Sequence, residues 1–147
     1  IVKVVIFTSA KPLYHMIGTL FRVAMQTSGG EVELVVGVPD EKMHFEKGTG
    51  YFFTSDHVLQ IVSSRYCQRF GVPLAEHHVV LGVDGKRLIN PDYHPFPTIA
   101  VDWEEMGRIA FEELLRRIQS PESPARNQSV AGKLILSNGS NGAILDQ

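Results

Sequence analysis

The stretch YFFTSDHVLQIVSSRYCQRFGVPLAEHHVVLGVD, Tyr51–Asp84, decides the fold. It opens on an apolar run, Tyr51 to Phe53, that reads as the end of a strand. A helix follows from about Asp56 to Phe70, with Thr54 or Ser55 as its cap and Leu59, Val62, Tyr66 and Phe70 spaced to face inward. Gly71 and Pro73 stop it, and HHVVLGV is the next strand. This is a strand, a helix and a strand in one continuous unit.

Upstream the pattern repeats. VKVVIFTSA, Val2 to Ala10, is β-branched and almost continuously apolar, as a parallel strand covered on both faces requires. Pro12 suits the first turn of the helix after it, where Leu13, Met16, Ile17, Leu20, Phe21 and Ala24 form a stripe ended by Gly29 and Gly30. EVELVVGVP is a second strand, stopped by Pro39. Only about eleven residues, PDEKMHFEKGT, then lead to the next strand, whereas a parallel crossover ordinarily takes a dozen or more and a helix. The 38–50 connection is therefore expected to be bare, by deletion or by missing residues.

Downstream, a long loop from Gly85 to Pro97 precedes the short extended piece TIAV. Asp102 caps another helix, with Glu105 completing a capping box and Trp103, Met106, Ala110, Leu114 and Ile118 as its stripe. A Pro/Ser-rich linker, Ser120 to Ser129, leads to a last strand, KLILS. Alternating strands and helices imply the α/β class: an open, mostly parallel sheet with helices on both faces.

Composition narrows the function. The 147 residues are 44% apolar, enough for a real core, and 14 Lys plus Arg against 16 Asp plus Glu leave a net charge of −2. No basic run exists to track a phosphate backbone, and no apolar run approaches the ~20 residues that span a bilayer. The single Cys67 excludes an internal disulfide framework and reads as a packed thiol. The opening IVKVVIF is already a strand without an initiator Met, so the chain is expected to be a fragment.

In an open α/β sheet, ligands sit beyond the carboxyl ends of the strands. Thr8 and Ser9, then Thr54, Ser55 and Asp56, then Asp84 fall at such ends. Helix capping is the simpler reading of Thr54, Ser55 and Asp56. Asp84 precedes no helix, so it is either an Asp-Gly turn or a ligand contact able to accept hydrogen bonds from vicinal hydroxyls or ring N–H groups. His77 and His78 would point to opposite faces of a strand, and no histidine has metal-ligand spacing, so no metal is expected. NQS at Asn127 and NGS at Asn138 read as loop residues, GVDGK lacks phosphate-loop spacing, and no nucleophile, base and orienting group assemble. An enzyme is not expected, nor a cofactor.

Taken in order, TSD, GVPLAEHHVV, LGVDG, HPFPTIAV and MGRIAFEELLRRI resemble the effector-binding domain of the lactose-repressor (LacI/GalR) family of transcription regulators. The match is specific over about half the chain, and residues 1 to 47 and GKLILS fit more loosely as the flanking elements. The resemblance implies a two-lobed, periplasmic-binding-protein-like (type I) fold, with residues 1–97 as the C-terminal lobe. Residues 98–119 would cross back to an N-terminal lobe, and 120–147 would be a linker and closing strand. The N-terminal lobe and the DNA-binding domain would lie outside this sequence. By the same resemblance Asp84 is the family's ligand-binding Asp and Ser55 stands where the family has a ligand-contacting Asn, with Thr54 and Ser9 beside them. Two further departures are Gly85, in place of a second Asp or Asn, and a first helix, PLYHMIGTLFR, without the usual Arg; Arg22 lies too far along to replace it.

The implied function is to sense a small metabolite, a sugar or related polar ligand, between two lobes and so control operator binding. A cytoplasmic homodimer would contact operator DNA only through the missing N-terminal domain and no membrane at all. An extracytoplasmic sugar-binding protein of a transport system is the alternative, and a flavodoxin-like enzyme a more distant one. An upstream helix-turn-helix or secretory leader would separate the first two.

Overall fold

The computed structural model describes residues 3–40, 42–85 and 96–136. Its elements are β1 (Lys3–Thr8), α1 (Pro12–Thr27), β2 (Glu31–Val36), β3 (Thr49–Phe53), α2 (Asp56–Phe70), α3 (Leu74–His77), β4 (Val79–Asp84), β5 (Thr98–Ala100), α4 (Trp103–Gln119) and β6 (Lys133–Ile135). They build a six-stranded sheet in the order β2-β1-β3-β4-β5-β6. Its first five strands are parallel and β6 is antiparallel to β5. This is the open, mostly parallel sheet that the alternating pattern implies.

Because successive side chains of a strand point to opposite faces, β1 feeds two core layers. Val5 and Phe7 join Tyr51, Phe53, Leu59 and Val62 on the α2 face. Val4 and Ile6 join Phe52 and Val83 on the other, packed by Ile17, Phe21 and Met25 of α1. Helices thus cover both faces. Ile6, Phe53 and Leu59 are wholly buried, each contributing about 1.5–3 kcal/mol.

Gly18 sets how α1 docks. A Cβ there would lie 3.3 Å from Thr8 Cβ and 3.4 Å from Thr54 Cγ2, so the missing side chain lets the helix approach the ends of β1 and β3. The close approach turns Ile17, Phe21 and Met25 toward the sheet and leaves Leu13, Met16, Leu20 and Val23 exposed. The single inward stripe expected for this helix is in fact two faces, one on the core and one outward.

Three other expectations are refined. Asp102 caps α4, accepting from the Glu105 N–H at 2.9 Å, but the Glu105 carboxylate bonds Arg108 Nε at 2.7 Å, so only half the capping box forms. No residue of α4 is buried, and Trp103, Met106, Leu114 and Ile118 of its stripe are exposed. The strand expected to begin at His77 begins at Val79, because Pro73 starts a short helical turn that takes in His77.

The 37–48 connection contains no helix among the described residues. Met43 and Phe45 pack over the α2-face core instead, and the Glu46 N–H donates to Tyr51 Oη at 2.6 Å. Most of the Gly85–Pro97 loop, including His94, lies outside the described residues, as does Asn138.

Candidate functional site

The strand order reverses at β1: β2 lies on one side of it and β3 on the other. Loops leaving the two sides part there, which opens a crevice beyond the carboxyl ends of the strands. A cavity of about 330 Å³ occupies that crevice, within the range of small-molecule sites. The ends of β1, β2 and β3 supply Ser9, Val38, Thr54 and Ser55 to its wall, and the first turns of α1 and α2 add Tyr14 and His57. Lys11, at the N-cap of α1, also lines it.

The expected site residues divide by what their side chains do. Ser9 Oγ accepts from the Lys11 N–H at 3.3 Å, bracing the entry to α1. Thr54 is buried and donates from Oγ1 to Thr8 Oγ1 at 3.3 Å, tying β3 to β1. Ser55 occupies the N-cap of α2 yet makes no capping bond. Its hydroxyl points to Asp84 Oδ2 at 3.5 Å, at the limit of a hydrogen bond. Capping therefore does not account for this serine side chain.

Asp84 is not a surface turn residue. It ends β4 with 4% of its area exposed and pairs with Ala100 in the ladder. Its φ of 119° is the only positive value at a non-glycine among the described residues. An L-residue there costs about 1–3 kcal/mol and persists only where its surroundings hold it. It is not itself in the cavity wall; Ser55 links it to the cavity. Gly85, the departure from the family pattern, has a steric cause: its φ is +62° and a Cβ would lie 2.4 Å from Ala100 Cβ.

Thr98, and its contact with Asp56, are what the sequence reading missed. Asp56 is 1% exposed, and Thr98 Oγ1 lies 2.8 Å from each of its carboxylate oxygens. Thr98 also accepts from the Gly85 N–H at 3.4 Å. Gly82 leaves the room, since a Cβ there would lie 2.0 Å from Asp56 Oδ1. A buried carboxylate thus fixes β5 to the start of α2, directly behind Ser55 and Asp84. The signal was an Asp in a first helical turn that faces the sheet, but only the register of β4 and β5 brings Thr98 to it.

No family model and no curated protein matches the chain. Among solved structures, it is similar to a protein from Corynebacterium glutamicum assigned to the LacI family of transcription repressors, at 19% identity and a TM-score of 0.66. The chain has the fold of that LacI-family protein. The likeness covers 96% of this chain and 58% of the other, so the chain spans just over half the length of the protein it matches. The open, mostly parallel sheet with helices on both faces is accordingly of the periplasmic-binding-protein-like α/β fold. Among the described residues no group of three or more His, Cys, Asp or Glu could hold a metal, and no helix is long and apolar enough to cross a membrane.

Proposed function

We propose that this chain is the effector-binding part of a LacI/GalR-type transcription regulator, which binds a sugar or related polar metabolite between two lobes to control operator binding. The observation that carries the reading is the Ser55–Asp84 pair, held beside a 330 Å³ crevice at the point where the strand order reverses. A carboxylate accepts charge-assisted bonds from vicinal hydroxyls, and a serine hydroxyl can both donate and accept. Phe7, Val38 and Val58 offer apolar wall to the C–H face of a ring. The role is one of binding, not catalysis.

The rest of the regulator follows from the same reading. The exposed apolar face of α4 supports a second lobe packed against residues 98–119. The outward face of α1, with Leu13, Met16, Leu20 and Val23 exposed at i, i+3, i+7 and i+10, supports a twofold contact between copies. A cytoplasmic homodimer would reach operator DNA through a separate domain. Effector binding would then bias the relative orientation of the lobes, and operator would change effector affinity by the same factor.

The test is calorimetry on the full-length gene product with a panel of pentoses, hexoses, disaccharides and nucleosides. One of these should bind saturably, and Asp84→Ala should abolish that binding while the protein still folds. Unchanged affinity in Asp84→Ala sinks the role given to Asp84.

A further inference from the structure

The 37–48 connection, without a helix among its described residues, borders a second concavity at the opposite end of the sheet, where β3 and β4 begin. Phe45 from the connection lies edge-on to Tyr66 of α2, ring centroids 5.7 Å apart, and Tyr66 in turn lies 4.5 Å from Phe70. The hydroxyl of Tyr66 is hydrogen-bonded to His78 Nε2 at 3.2 Å, which fixes the back of the cluster. In front of these rings is a cavity of about 280 Å³, bordered also by His44, Lys47 and His77. Phe70 remains 48% exposed, although it ends a helix whose apolar residues should face inward, so aromatic surface is left facing this space.

Two features define what would fill it. Aromatic faces stack planar rings of any sequence or substituent, at about 1–3 kcal/mol for a nucleobase. Its lining carries Lys47 and three histidines, His44, His77 and His78, beside the Tyr66 phenol, and no carboxylate. Burial first, and then His77 and Lys47, push the pKa of His78 below the usual histidine value. Among the described lining residues an anion can meet Lys47, whereas a cation would find no carboxylate.

We propose that this cavity is a second ligand site, independent of the crevice beside Ser55 and Asp84, for a small planar aromatic molecule bearing a negative charge. The ring would stack on Tyr66 and Phe70 and the anionic group would meet Lys47 and His77. A nucleoside monophosphate or a bicyclic aromatic carboxylate has this chemistry and fits the volume.

The test is an NMR titration of the isotopically labelled chain with AMP, 1-naphthoate, adenosine and ribose 5-phosphate. AMP or naphthoate should shift the Tyr66, Phe70 and His77 resonances saturably, adenosine should bind AMP's site more weakly, and ribose 5-phosphate should leave the rings unmoved. Lys47→Ala should weaken the anion about two- to fivefold without changing adenosine. Phe70→Ala, at an exposed position, should cost about fivefold or more for every aromatic probe. The proposal is overturned if neither aromatic anion gives saturable shifts at these rings, if the shifts fall only in the Ser55 crevice, or if Lys47→Ala weakens adenosine as much as AMP.

Discussion

Replacing Thr98 by Val keeps the shape of a side chain that is 2% exposed but deletes the hydroxyl held 2.8 Å from both oxygens of Asp56. A hydrogen bond to a buried charged group contributes about 1.5–3 kcal/mol, and the long bond from Gly85 adds little. Thr98→Ser removes one buried methyl instead, at about 1 kcal/mol, and retains the hydroxyl. The order of stability should therefore be Thr, then Ser, then Val. For a chain of this size the Val variant should melt roughly 5 °C or more below the parent. Urea unfolding followed by circular dichroism gives the comparison, with the midpoint moving and the slope unchanged. A Val variant within about 0.5 kcal/mol of the parent, or more stable than the Ser variant, would refute the claim that this hydroxyl anchors β5.

Gly85→Ala must hold φ at +62° and place its Cβ 2.4 Å from Ala100 Cβ, so it should cost about 2 kcal/mol or more in the same urea assay; a neutral effect would show that the chain re-routes freely there. His78 has a lowered pKa, so below the unfolded histidine value, near 6.5, the unfolded chain takes up a proton before the folded one does. Stability should accordingly be complete above pH 6.5 and fall as the pH drops below it, and His78→Gln should flatten that slope; a slope unchanged in the variant assigns it to other groups. Leu20→Asp, on the outward face of α1, should turn a dimer of the full-length protein into a monomer in sedimentation equilibrium, and a dimer that survives it removes that face from the interface.

Much of the fold was legible in the sequence because it is local. Strand and helix periods, Pro12 at the start of α1, Gly71 in the left-handed conformation after α2, and Asp102 at the cap of α4 each depend on a few neighbouring residues. The bareness expected of the 38–50 connection was legible too, and no helix forms there among the described residues, because the number of residues bounds what a crossover can contain. The faces of α1 were not. Its apolar residues cover more than one side, and which side meets the sheet follows from the close approach at Gly18, a distance of 3.3 Å to a strand ten residues away in sequence.

The site divides along the same line. The sequence by itself placed Ser9, Thr54, Ser55 and Asp84 at strand ends, since the ends of apolar runs are marked by a change in residue type. It left Asp84 balanced between a turn and a contact, and it gave Asp56 helix capping as the simpler of two readings. Tertiary structure shows what each carboxylate meets. The carboxylate of Asp84 is buried and faces Ser55, 29 residues earlier, and that of Asp56 receives Thr98, 42 residues later. Strand order and register set such distances, and both are properties of the whole sheet, so no local pattern of residues could contain them.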